Sequence, residues 1–113
     1  MNKITLEPTN QTFTRYFKNK NVCMSLFRNG FDILSPIYVT PESNNRNINE
    51  LNKMMNLISK ADKLETFPGN IELDEVVLYS YNGTKFLFVC EYYGPNEAPD
   101  RMLMSDKPVI EFE

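Results

Sequence analysis

Two Asn-Gly pairs, Asn29-Gly30 and Asn82-Gly83, punctuate apolar runs in this chain, and few dipeptides constrain a backbone as tightly. A two-residue hairpin loop of type I′ needs φ > 0 at both central positions, which asparagine tolerates and glycine adopts freely. The sequence therefore predicts two β-hairpins. In the first, residues 22–28 lead into Asn29-Gly30 and residues 31–34 return; in the second, residues 74–81 lead into Asn82-Gly83 and residues 84–92 return. Ser35-Pro36 interrupts the first return strand, so Ile37-Tyr38-Val39 is expected to bend away or to lie on a sheet edge.

Between the hairpins, Ile48, Leu51, Met55 and Ile58 recur at i, i+3, i+7 and i+10, which predicts an amphipathic helix over about residues 48–61. Asn47 with Glu50 three residues later resembles a capping box, Lys60 and Lys63 suit the C-terminal dipole, and Phe67-Pro68-Gly69-Asn70 stops the helix. A shorter helix around residues 11–18 would set Phe13 and Phe17 one turn apart with Asn10 as cap, although the Thr12-Phe13-Thr14 alternation also fits a strand. After a turn at Ser105-Asp106-Lys107-Pro108 the tail alternates, with Val109, Glu111 and Glu113 on one side and Ile110 and Phe112 on the other. It is expected to pair with residues 101–104 as a last short hairpin, leaving residues 94–100 as the longest loop. The expected architecture is one α+β domain over residues 1–113. Antiparallel hairpins would pack in two layers with one main α-helix and a short second helix.

With 113 residues, 42% of them apolar and 24% charged, the chain has the composition of an ordinary globular domain. No apolar run approaches the roughly 18 residues of a membrane span, and residues 1–8 lack the apolar stretch of a secretory signal. A cytoplasmic protein is expected. Cys23 and Cys90 lie within apolar runs and read as reduced core thiols, with a disulfide between them as the alternative. Frequent asparagine and an excess of lysine over arginine fit an AT-rich coding source such as a phage or a low-GC bacterium.

There is no histidine. That absence removes Ser-His-Asp and Cys-His nucleophilic sites, histidine acid-base catalysis and imidazole-ligated metal centres. There is no CxxC pair, and of four glycines two sit in Asn-Gly pairs, leaving no phosphate-cradling loop. Carboxylates remain. A turn fixed at Asn82-Gly83 pairs 81 with 84, 79 with 86 and 77 with 88, and so sets Asp74 opposite Glu91. Like charges directly opposite are unfavourable. Either a cation sits there, or a neighbouring Lys or Arg neutralises the pair, or the strands have splayed by that point. The same register puts Leu73, Val77, Tyr79 and Tyr81 with Tyr92, Phe88, Phe86 and Thr84 on one face, and Val76, Leu78, Leu87 and Val89 on the other. Both faces are apolar at their centres, so either the chain covers both or one of them forms a dimer or partner surface.

Charge divides the chain. Residues 1–63 carry nine basic and five acidic side chains, a balance of +4, whereas residues 64–113 carry three basic and ten acidic ones, a balance of −7. The acidic half repels phosphate backbones and attracts basic surfaces. The aromatic hairpin residues therefore read as core rather than as base-stacking platforms, and Arg15-Tyr16-Phe17-Lys18-Asn19-Lys20 is the sole basic-aromatic cluster. The reading that remains is a non-catalytic protein-binding module. By analogy it is a phage- or mobile-element-type accessory protein that inhibits or modulates a host or defence protein in the host cytoplasm. Its contact surface is expected at Glu72, Asp74, Glu75, Glu91, Tyr93, Glu97 and Asp100, facing a more basic protein, with no cofactor implied. A homodimer through a hairpin face is a further option. The alternatives are a small carboxylate- or metal-dependent enzyme using Asp74 and Glu91, and a nucleic-acid binder using the basic first half.

Overall fold

The computed structural model describes residues 2–41, 47–69, 74–92, 96 and 99–113. Its elements run β1 (Asn2–Thr5), β2 (Glu7–Thr12), α1 (Phe13–Tyr16), α2 (Lys20–Arg28), β3 (Pro36–Val39), α3 (Ile48–Lys60), β4 (Asp62–Pro68), β5 (Glu75–Tyr81), β6 (Thr84–Glu91), β7 (Asp100–Ser105) and β8 (Val109–Phe112). Strands β2-β3-β7-β6-β5-β4, in that order, form one antiparallel sheet, and β1 pairs with β8 in a second. The α+β class and the main helix are as expected.

The second hairpin forms at its turn and in its register. Asn82 (φ 51°) and Gly83 (φ 84°) are both left-handed, and Tyr81↔Thr84, Tyr79↔Phe86 and Val77↔Phe88 face each other. The first hairpin does not form. Residues 20–28 are helical, with Val22, Cys23 and Leu26 buried at the spacing of one helix face, and Asn19 Oδ1 caps the start by accepting the Asn21 N–H at 2.9 Å. Asn29 keeps an ordinary φ of −88°, and only Gly30 turns left-handed, at φ 92°. The Phe31 N–H then reaches the Leu26 carbonyl at 3.0 Å and the Gly30 N–H the Phe27 carbonyl at 3.0 Å, the paired bonds of a Schellman C-cap. Leu26 and Phe31, the two residues that such a cap brings together, are both buried in one core.

Helix α3 forms where expected, and Asn47 Oδ1 accepts the Asn49 N–H at 3.0 Å. Its inward face is rotated from the expected one. Met54 and Leu57 are buried with Leu51 and Ile58 beside them, whereas Ile48 is 64% and Met55 42% exposed. Strand β3 is not an edge: it lies between β2 and β7, and Pro36, its first residue, is where a missing N–H is tolerated. Asn10 is no helix cap, since it lies in β2 and Thr12 occupies the N-cap of α1. The tail alternates as expected, with Ile110 and Phe112 buried, yet β8 pairs with β1 rather than with β7, whose two sides are taken by β3 and β6.

Both faces of the six-stranded sheet are covered. Val76, Leu78, Leu87, Val89 and Met104 pack with Phe13, Phe17, Val22, Leu26 and Phe31 from α1, α2 and the segment after them. Phe86, Phe88 and Leu103 pack on the opposite face with Met54 and Leu57 of α3 and with Ile4, Ile110 and Phe112 of the small sheet. Each face of the β5-β6 hairpin thus packs against other parts of the chain. Cys23 and Cys90 are free thiols, one packed in each core. No helix among the described residues is long and apolar enough to cross a membrane.

Candidate functional site at the acidic end of the sheet

The antiparallel register that puts Asn82-Gly83 at one end of the β5-β6 hairpin gathers carboxylates at the other. Strand β5 begins at Glu75, β6 ends at Glu91 and β7 begins at Asp100. Glu75 lies opposite Cys90, Cys90 opposite Arg101, and Glu91 opposite Asp100. Because side chains alternate along a strand, Glu91 and Asp100 share the face of Val89 and Met102, which carries α1 and α2. Glu75, Cys90 and Arg101 share the face of Phe88 and Leu103, beneath α3 and the small sheet.

Asp74 stands just before β5. Its Oδ1 accepts the Tyr92 N–H at 3.2 Å, which closes the end of the hairpin where the ladder stops. Glu91 Oε1 accepts the Tyr16 hydroxyl at 3.0 Å, tying α1 to this end of the sheet. The expected opposition of Asp74 and Glu91 thus falls where pairing ceases, and each carboxylate turns to a donor of its own. Among the described residues no group of three or more Cys, Asp or Glu is placed to hold a metal ion. Of the expected contact residues, Asp74, Glu75, Glu91 and Asp100 lie at one end of the sheet, Glu75 on the opposite face from Glu91 and Asp100; Glu72, Tyr93 and Glu97 lie outside the described residues, as does most of the 94–100 loop.

Burial raises the Cys90 thiol above the ordinary thiol range. The Arg101 charge opposes that shift, Glu75 adds to it, and a hydrogen bond from Arg101 again lowers it. The Tyr79 hydroxyl is raised as well, first by burial and then by negative charge at Cys90 and Glu75. A thiol held in its neutral form is a poor nucleophile.

Several surface features lie outside the expected site. An apolar groove of about 190 Å³ opens beside Glu91, between Tyr16 and Met102. Phe27 and Leu34, 60% and 75% exposed, line a depression of about 390 Å³ at the end of α2. A polar cleft of about 510 Å³ lies between Lys60, Tyr81 and Glu111. The Phe27 patch was open to sequence reasoning, since reading residues 20–28 as a helix with Val22 and Leu26 inward turns Phe27 outward. The groove was not, because Tyr16 and Met102 meet only in the folded chain. Comparison with protein-family models, with curated proteins and with solved structures returns no match, so function has to be read from the chemistry of the chain's own surface.

Proposed function

We propose that this chain is a non-catalytic protein-binding module that acts by occupancy, its acidic sheet end docking on a more basic protein and inhibiting or modulating it. One observation carries the reading. Asp74, Glu75, Glu91 and Asp100 lie at the same end of neighbouring strands, with Glu91 directly opposite Asp100, a like-charge pair. A surface of one sign is complemented by a partner of the opposite sign. Two free thiols suit a reducing, intracellular setting. The same carboxylates disfavour a phosphate backbone as the ligand.

Differential capture tests the proposal. The wild-type chain, a Glu75→Gln/Asp100→Asn variant and a Glu7→Gln/Glu111→Gln variant altered elsewhere on the surface serve as baits under one buffer. The expected result is a basic protein retained by the wild type and by the distal variant at near-equal stoichiometry, and lost from the variant changed at the sheet end. Equal retention by all three baits would remove the acidic end from the account.

A further inference from the structure

We propose that Asn82 is a site of spontaneous backbone modification, at which the Gly83 nitrogen closes on the Asn82 side chain, whereas Asn29, in the same Asn-Gly dipeptide, is protected by the fold. The reaction is independent of the docking function proposed above. In it the Gly83 backbone nitrogen gives up its proton to solvent and attacks Asn82 Cγ. A C–N bond forms, and Nδ2 takes up a proton and leaves as ammonia, which gives a five-membered succinimide. Water then adds to one of the two imide carbonyls and opens the ring. Cleavage of one imide C–N bond yields an aspartate, and cleavage of the other leaves an isoaspartyl linkage, with the main chain running through the side-chain carbons. Water is the sole co-reactant, and nothing is oxidised or reduced. Glycine in the second position leaves the attacking nitrogen without a neighbouring Cβ in its way.

Space does not separate the two dipeptides, since an added Cβ on either Gly30 or Gly83 meets nothing within 4 Å. Hydrogen bonding separates them. At Asn29 both reacting groups are held: Nδ2 donates to the Ser25 carbonyl at 2.8 Å, and the Gly30 N–H donates to the Phe27 carbonyl at 3.0 Å. The Asn29 carbonyl accepts Lys85 Nζ at 3.0 Å, and Leu26 and Phe31 close the same cap from within the core. Ring closure there waits for the end of α2 to open. Asn82 and Gly83, by contrast, are both exposed turn residues. Among the described residues, no acceptor holds the Asn82 side-chain amide or the Gly83 N–H. Asn82 also lines the polar cleft together with Asp62 and Glu111, so either product adds a negative charge to that cleft. The isoaspartyl product further adds a methylene to the backbone of the two-residue turn that sets the register of β5 on β6.

Peptide mapping by mass spectrometry tests the inference on the full chain, incubated at pH 7 and at pH 9, both folded and in urea. Each Asn-Gly peptide is scored for loss of ammonia and for exchange of its amide for a carboxylate, with the isoaspartyl product separated by chromatography. In the folded chain Asn82 is expected to react at least about tenfold faster than Asn29, a factor set by the two hydrogen bonds that must open first at Asn29. Both reactions should run faster at pH 9, because attack needs the deprotonated nitrogen. In urea the two rates are expected to converge. Leu26→Ala, which loosens the cap of α2, is expected to raise the Asn29 rate and to leave that of Asn82 unchanged; should that variant fail to fold, the comparison of folded and urea-unfolded wild type decides alone. Equal rates in the folded chain, a faster Asn29, or an Asn82 that reacts only in urea would overturn the inference. A preference for Asn82 that persists undiminished in urea would overturn it too, since flanking sequence and not the fold would then be its cause.

Discussion

The β5-β6 hairpin has two ends that differ in what they do for the molecule. At the turn end, Asn82-Gly83 lies beside the Asn29-Gly30 cap of α2, and Lys85 Nζ donates to the Asn29 carbonyl at 3.0 Å. The groups there satisfy one another: a helix C-terminus, with its exposed carbonyls, meets a cation. At the other end, where the ladder stops, Glu91 and Asp100 oppose each other on one face while Glu75 and Arg101 flank Cys90 on the other. One end is organised for the fold. The other holds a like-charge pair, Glu91 opposite Asp100, and its carboxylates take donors from the Tyr16 hydroxyl and the Tyr92 N–H.

The comparison breaks most visibly at the turn end. Leu26→Ala removes a fully buried side chain from the last turn of α2, against which Phe31 closes the cap. Urea unfolding is expected to show a loss of about 2–5 kcal/mol. Next come the glycines: Gly30 and Gly83 hold φ of 92° and 84°, with nothing within 4 Å of an added Cβ, so alanine there is disfavoured by backbone strain alone. Each is expected to destabilise by about 1–2 kcal/mol. Asn29→Ala should differ from Asn82→Ala in kind, the former losing an Nδ2 bond to the Ser25 carbonyl at 2.8 Å and the latter a residue tolerant of φ 51°.

A smaller effect follows from the raised thiols and the Tyr79 hydroxyl. Cys23 is raised by burial with a backbone hydrogen bond opposing, Cys90 by burial with Arg101 opposing, and Tyr79 by burial. Each acid is held neutral in the fold above the pH at which the unfolded chain would ionise it. Their stabilising contribution is therefore complete below the ordinary thiol range and is lost as pH rises through it towards the raised folded values. Chemical denaturation repeated from pH 7 to pH 10 is expected to show stability falling with pH. Glu75→Gln should bring the Cys90 thiol down and speed its alkylation at fixed pH, whereas Arg101→Leu should slow it.

The smallest effect on stability is expected at the acidic end. Glu75→Gln and Asp100→Asn, alone or together, should leave the unfolding midpoint within about 0.5 kcal/mol of wild type or slightly above it, since each removes one member of a like-charge group. A loss of 2 kcal/mol or more, on the order of a buried-network effect, would mean that these carboxylates belong to the fold after all.

The two Asn-Gly pairs also show what a sequence of this kind can convey. Asn82-Gly83 sits between strand-forming runs that are apolar on both faces, as at Val77, Leu78 and Tyr79, and the two flanks pair with each other. Asn29-Gly30 carries the same turn chemistry, but Val22, Cys23 and Leu26 repeat at helical spacing, and a single glycine at φ > 0 ends a helix as well as two such residues make a turn. The inner face of α3 was missed by one position because methionines lie on both sides of it: Met54 is buried and Met55 is not. Strands β2 and β4 gave little period-two signal because, as edge strands, they are exposed on both faces, with Phe67 the buried residue of β4. The acidic end was legible by counting outward from Asn82-Gly83. The groove depends on α1 setting Tyr16 against β6 and β7, a meeting of residues 75 positions apart that no local pattern encodes.

The central claim, that the acidic end is a docking surface, is tested most directly by the association rate with the basic partner recovered by capture, followed against ionic strength. The Debye length falls from about 30 Å at 0.01 M to about 8 Å at 0.15 M, so steering by Asp74, Glu75, Glu91 and Asp100 should fade over that range. Association of the wild type is expected to slow as salt rises. Glu75→Gln/Asp100→Asn should start slower and depend less on salt, with dissociation little changed. An association rate indifferent both to salt and to these substitutions would contradict the account and leave the acidic end a solvated surface.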